Sequence, residues 1–420
     1  MNLPASSNST NMADQMGRAK IVLVLTRGIP IAPKSGRERT LSFIQRALVE
    51  RYDVTTTNIS SIVDKPNFRR VVEACATLLH GFASIHPCPL QVAIFRDARG
   101  LTSFLVQLAK LRPDAVYFDS VRTVDWLVAT RRQFPEMRLI CDFDDLMSVR
   151  FEALLRRHLP ISLGYFGNRI PRWVRNFLRC NLITRAVLRY EAWSLRNSER
   201  VAISAANAVT VVSAIDAEKF GKSVRAPLSN RIRVVAPAVS FPNPFIRTRE
   251  CQEFIFVGSD TLLQNRLSIE FLVDLWLKAL PSTRLRIIGE VVGTYPSCRG
   301  VTFSGFIDDI NDVYSDVCIA LCPSFVEGGI KTKVLEALGQ GVIPVGNTLT
   351  FAGMGCDPGL LAMKSEDFLS FVCTPEAWIG RLRDSAIKLR ECAYGRYSFD
   401  AVAEEWSQVV SGSDSQVIQS

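Results

Sequence analysis

Short apolar runs alternate with longer stretches of mixed apolar and polar residues along this chain, and they do so twice over. In the first half the runs at 20–26, 53–57, 115–119, 138–142 and 208–212 are short and apolar or β-branched, the pattern of parallel strands. Stretches at 40–51, 98–111 and from 123 onward repeat apolar residues at helical spacing between them. After Phe241-Pro242-Asn243-Pro244, a proline-rich break, the alternation resumes with strands expected at 253–258, 285–289, 301–304, 317–321 and 342–345. Strands that alternate with helices form doubly wound parallel sheets, so the pattern predicts an α/β chain of two Rossmann-like units. A last helical pattern at 401–410 follows the second unit.

The richest local chemistry lies at 318–341, CIALCPSFVEGGIKTKVLEALGQG. An apolar strand runs into Pro323 and the pair Gly328-Gly329, whose bare backbone lets a ligand come close. A helix is expected to begin near Lys331. Its first-turn amides and positive dipole suit a phosphate, to which Lys331 and Lys333 would add full charges. Glu336 lies about one turn further on, where a carboxylate can accept hydrogen bonds from sugar hydroxyls. Phosphate beside sugar hydroxyls describes a nucleotide sugar. An ordinary strand-loop-helix unit with a solvated charged turn would carry the same letters.

These residues resemble the donor-binding signature of family 4 glycosyltransferases, retaining enzymes of the GT-B fold. Glu327, Gly328, Gly329 and Glu336 are the matching positions, with Ile330 in the same loop. The common pattern has seven residues between its glutamates and this chain has eight; the run 329–337 is similar to a bacterial branch in which the first glutamate is often missing. Further matches follow in order: Phe256-Val257-Gly258-Ser259 with Gln264-Asn265-Arg266, Ser304-Gly305-Phe306 with Asp308-Asp309, Asp142-Phe143-Asp144-Asp145, and Tyr190-Glu191 before Val211-Val212-Ser213. The likeness is strongest to bacterial transferases that build exopolysaccharides and other surface glycans.

The resemblance implies two domains facing a cleft, with the C-terminal helix crossing back onto the first. The expected division is a tail at 1–18, an acceptor-side domain at 19–240, a linker at 241–250, a donor domain at 251–395, a crossover helix at 396–412 and a tail at 413–420. It implies that Glu336 holds the ribose hydroxyls and that Glu327, if it acts, meets the transferred sugar. It also implies retention of anomeric configuration, with the donor phosphate as base, so that no catalytic dyad is required. An arginine and a lysine usually follow the first strand of the donor domain, whereas only a displaced Arg266 stands here, for the phosphates or for a surface salt bridge. Gly258 lies in the same turn, and Gly36 in the first domain either brings backbone to the diphosphate or is a plain turn glycine. Asp119, Arg122, Asp142, Asp144 and Asp145 are the first-domain candidates near the transferred sugar, with Asp144, Asp145 and Arg122 the leading ones. A metal at Asp144-Asp145 or a helix cap by either aspartate is the competing reading; we expect no metal and no cofactor beyond the donor substrate.

Composition narrows the alternatives. With 420 residues, 48% of them hydrophobic and 22% charged, the chain is long enough for two cores and too apolar to be disordered. No apolar run is long enough to cross a bilayer and the first residues lack a signal-peptide core, so a cytoplasmic location is expected. The eleven cysteines are scattered without a Cys-x-x-Cys pair and read as reduced core residues. His80, His86 and His158 form no constellation. Charge is uneven: 150–200 holds eleven arginines against three glutamates, nearly the whole formal surplus of +9. Aromatic and aliphatic residues interleave there, so this helical insertion suits an anionic membrane surface at the inner face of the cell membrane. A helical insertion packed on its own domain with solvated arginines is the plain alternative, while nucleic acid binding lacks a motif.

The expected function is transfer of a sugar from a nucleotide diphosphate donor to a surface-glycan or lipid-linked saccharide acceptor. A nucleotide-sugar 2-epimerase of the same fold, or a catalytically silent scaffold, is the alternative.

Overall fold

The computed structural model describes residues 18–31, 36–64, 67–83, 87–156, 181–247, 252–307, 309–315 and 318–413. Two separate parallel sheets organise them. The first contains β1 (Lys20–Leu25), β2 (Asp53–Asn58), β3 (Ala115–Asp119), β4 (Arg138–Asp142), β5 (Ala208–Val211) and β6 (Ile232–Val234) in the order β2-β1-β3-β4-β5-β6. The second contains β7 (Glu253–Val257), β8 (Arg284–Ile288), β9 (Val301–Phe303), β10 (Ile319–Leu321) and β11 (Ile343–Val345) in the order β11-β10-β7-β8-β9. Every pairing is parallel, with Leu23 beside Tyr117 and Phe254 beside Ile319 at the two centres.

The unbroken apolar runs of β1 and β3 follow from burial on both faces. Under one face of the first sheet pack the helices Ala98–Leu111, Val124–Gln133 and Asn181–Ala205, through Leu108, Leu127 and Leu195. Under the other lies the helix Gly36–Val49, through Leu41, Ile44 and Leu48. The second sheet closes a separate core around Phe254, Trp276, Leu335 and Phe371.

In each sheet the strand order reverses next to the first strand, between β1 and β3 and between β7 and β10. Connections leave on opposite faces there, which opens a crevice beyond the carboxyl ends of the strands. The loops after β1, β3, β7 and β10 therefore surround the two natural ligand positions, and all the candidate donor residues lie on loops or helix starts of this kind.

The chain returns to the first sheet at its end. The helix Glu376–Tyr397 packs on the second core, Ser398 breaks it, and Phe399–Ser411 lies against the first domain. Trp406 meets Tyr117 edge-on at 5.7 Å, Phe399 meets Phe43 at 4.6 Å, and the Arg138 guanidinium donates to the Val409 carbonyl at 2.7 Å. The expected crossover is present.

Several expectations need correction. The helix expected from 40 begins at Gly36, because the glycine and Arg37 already belong to its first turn. The helix Phe68–Ala83 and the edge strand β6 were not anticipated, the latter because its Ile-Arg-Val run is only partly buried. The cysteines are not all reduced: Cys356 and Cys392 form a disulfide, since the fold brings the loop before Pro358 against the helix Glu376–Tyr397 with Cα atoms 6.1 Å apart. The His80, His86 and His158 side chains, Asp308 and 157–180 of the basic insertion lie outside the described residues.

Candidate functional site

β10 delivers the chain to the loop 322–331, which turns back into the helix Thr332–Gly339. Gly328 and Gly329 have φ of +103° and +60°, a region that side-chain-bearing residues seldom occupy. A Cβ at either position would meet nothing within 4 Å, so backbone conformation and not crowding demands glycine, and this side of the loop is open. The base of the loop is tied to the next strand's turn by Asn347, which donates to the Ser324 carbonyl at 2.8 Å.

Neither lysine points its charge at open space. Lys331 Nζ donates to the Gly328 carbonyl at 2.6 Å and to that of Val326 at 3.3 Å, stapling the loop from within. Lys333 Nζ donates to Asn265 Oδ1 at 2.9 Å and stands 4.1 Å over the Phe256 ring. Burial pushes the Lys333 ammonium down to about 8 and lowers Lys331 as well. Both lysines expected at the phosphates thus also hold the loop and its helix in place.

Gly258 has a related role. A Cβ there would stand 2.7 Å from the Asn265 carboxamide, whose Nδ2 donates to the Ser259 carbonyl at 2.9 Å. Gly258, Asn265 and Lys333 form one contact chain that locks the β7 turn to the helix Thr332–Gly339. Arg266 lies one residue further, its Nε buried without a hydrogen-bond partner among the described residues. Ile330 is half-buried against the second core.

On the facing domain, the helix Gly36–Val49 places Arg37 among the ends of β3 and β4. Its Nη2 lies 2.5 Å from Asp119 and 2.8 Å from Asp142, and its Nη1 3.4 Å from Asp144. Tyr117 donates to Asp142 at 2.6 Å and the Thr26 amide to Asp119 at 3.1 Å. Burial alone would raise the Asp119 carboxyl, but Arg37 and the Thr26 hydrogen bonds outweigh it and hold it below the usual range. Asp119 is therefore a fixed counter-ion, and Asp142 shares the same guanidinium.

Asp144 differs. It has a φ of +61°, its side chain is 37% exposed, and burial of the carboxyl, against the pull of Arg37, raises it to about 6. Asp145 pairs with Arg150 at 3.4 Å. Arg122 is pushed down to about 10 by burial and donates through Nε to Gln91 at 3.0 Å. A Cβ on Gly36 would meet nothing within 4 Å among the described residues.

Three contacts press the 327–336 segment onto the first domain. Arg39 forms an ion pair with Glu336, Lys219 lies 3.4 Å from Glu327, and the Gly329 amide faces the Asp216 carboxylate. Both signature glutamates are thus matched by first-domain cations, although Glu336 is only 16% exposed and Glu327 is 60% exposed. Arg37, Arg39, Lys219 and Asp216 were missed by the sequence reading. A signal existed for Arg37: aspartates ending two adjacent buried strands demand a cation, and Arg37 follows Gly36.

Residues 251–369 match the family model described as Glycosyl transferases group 1. Among curated proteins none matches the chain. Among solved structures, similar folds include a sucrose-phosphate synthase from Thermosynechococcus elongatus, at 14% identity and a TM-score of 0.60, covering 94% of this chain and 99% of that one. HepE of Anabaena in complex with UDP and glucose aligns at 11% identity and a TM-score of 0.57, over 94% and 100% of the two chains. The apo form of the lipopolysaccharide outer core galactosyltransferase WaaB aligns at 12% identity and a TM-score of 0.55, over 94% and 99%.

Proposed function

We propose that this chain, with its GT-B fold and the glycosyl transferases group 1 match over 251–369, is a glycosyltransferase that moves a sugar, with retention, from a nucleoside diphosphate donor to a surface-glycan or lipid-linked saccharide. The observation that carries this reading is the pairing of sites: the Gly328-Gly329 loop and Glu336 stand at the second sheet's strand reversal, and the Arg39–Glu336 ion pair joins them to the helix that follows β1 at the first sheet's reversal. In this reading the domains divide at 241–250, the donor occupies the second and the acceptor approaches from the first.

Glu336 accepts hydrogen bonds from the ribose hydroxyls, and the open face of the glycine loop receives the diphosphate beside the start of the helix Thr332–Gly339. The departing diphosphate is the charge to be stabilised, and preorganised donors in a closed cleft do this without reorganising water. Glu327 faces the transferred sugar. Asp144, with its carboxyl near 6, stands on the acceptor side, where it orients a hydroxyl against the anomeric carbon. Asp145 and Arg122 support that side through their own partners. UDP in the HepE complex supports a uridine diphosphate donor, and the outer-core substrate in WaaB's name supports a surface-glycan acceptor. Membrane contact through 150–200 belongs to the same reading and rests on that segment's charge.

A thermal-shift series with UDP, GDP, ADP, dTDP and their sugars tests the donor site. One nucleotide should raise the melting temperature, as about 2.7 kcal/mol of stabilisation at a hundredfold excess over Kd requires, and Glu336→Ala should remove the shift. A shift of undiminished size in Glu336→Ala would place the donor elsewhere. NMR of the first-formed product should show the donor's anomeric configuration; inversion would overturn the retaining mechanism.

A further inference from the structure

A bound diphosphate needs cations, and the second domain has few to offer. Lys331 is committed to two loop carbonyls and Lys333 to Asn265 and the Phe256 face. Turning either outward would break these contacts. The first domain, in contrast, already extends a cation into the donor site. Arg39 lies in the first turns of the helix Gly36–Val49, and its guanidinium crosses the cleft to the Glu336 carboxylate.

We propose that Arg39 is a donor-binding residue that exchanges partners, leaving Glu336 for the diphosphate when the nucleotide enters. This rests on the reading of the 327–336 segment as the donor site. The chemistry favours the exchange at both ends. Ribose hydroxyls donate to Glu336 and take over the acceptor positions that Arg39 fills. Ribose is bonded through its 5′ oxygen to the α-phosphate, so a guanidinium that touches the ribose's carboxylate partner is already beside the phosphates. Arg39 is 43% exposed, and an ion pair that open to water is held weakly. A planar guanidinium on phosphate oxygens, in contrast, makes two charge-assisted hydrogen bonds. Arg39 then makes up for the arginine absent from the usual place in the second domain, and it ties domain closure to donor charge, because the cation and the nucleoside contacts come from different domains.

Calorimetric titration of UDP, GDP, ADP and dTDP, each beside its nucleoside, separates the possibilities in wild type, Arg39→Ala, Arg39→Lys and Glu336→Gln. The diphosphate should bind Arg39→Ala about ten- to a hundredfold more weakly, while its nucleoside binds as well as to wild type or better, the competing ion pair being gone. Arg39→Lys should recover part of the loss. Glu336→Gln should weaken the nucleoside yet keep the extra affinity that the two phosphates confer. If Arg39 is only a latch, Arg39→Ala strengthens nucleoside and diphosphate alike, and the proposal falls. An equal loss for both ligands also overturns it, as a sign of a damaged ribose site. Wild type that binds none of the diphosphates would remove the donor reading and this proposal together.

Discussion

Glu199 shows how one buried carboxyl makes the molecule sensitive to pH. It accepts hydrogen bonds from the Ser148 amide at 3.0 Å and the Ser148 hydroxyl at 2.6 Å, yet burial raises its pKa to about 7 from 4.5, against those bonds and Arg196, with Asp145 adding to the rise. A folded pKa above the unfolded one means that the native state binds the proton more tightly. The contribution is complete below pH 4.5 and is lost as pH rises through 7, a difference of about 3 kcal/mol. Urea unfolding at pH 5 and pH 8 should show stability falling with pH more steeply in wild type than in Glu199→Gln. Equal slopes would mean that Glu199 is ionised in the native state. The Arg37 cluster behaves in the opposite way, since Asp119 is held below its usual range and stays charged. At this scale the sequence identified the aspartates and not their partner, because residue type reveals a need for charge but not which side chain meets it.

Among the elements, the loop-helix unit from Cys322 to Gly339 is held by its neighbours more than by its own propensity. Asn347 ties its base, Lys331 its interior, and Asn265 its helix through Lys333. The strand, loop and helix were readable from apolar spacing and glycine placement, but the inward turn of both lysines was not, since helix spacing does not say which neighbour lies across the groove. The disulfide lies on the adjoining helix. Cys356 and Cys392 are 36 residues apart, and closing a loop of that length stabilises by about 2–4 kcal/mol in the chain-entropy account. Cys392→Ser should therefore melt several degrees lower than oxidised wild type, and a reductant should bring wild type down to the variant. Wild type insensitive to the reductant would show that the bond adds no stability.

For the whole molecule, the crossover helix Phe399–Ser411 makes the two domains depend on each other. It belongs to the second domain in sequence and completes the first domain's core through Trp406, Val402 and Val409. No helix among the described residues is long and apolar enough to cross a membrane. The membrane contact proposed for 150–200 would act through arginines on lipid phosphates with rings in the interface. The protein should sediment with vesicles containing anionic phosphatidylglycerol and remain free of purely zwitterionic vesicles, with binding weakened by salt. Equal recovery with both vesicle types, or with neither, would contradict a charge-led surface interaction.

The sequence by itself determined the two-sheet α/β architecture and the place of the glycine-rich loop after β10, because burial periodicity and glycine conformation are local properties of the chain; the return of the last helix was expected from the family resemblance and not from periodicity. Only the tertiary structure decided which charges meet. Arg37 reaches aspartates more than eighty residues away, and Arg39 reaches Glu336 across 297 residues. Such pairings depend on strand order and on the docking of one domain against the other. A cysteine pair with no motif became a disulfide for the same reason, since proximity in space is set by the fold and leaves no periodic trace in the chain.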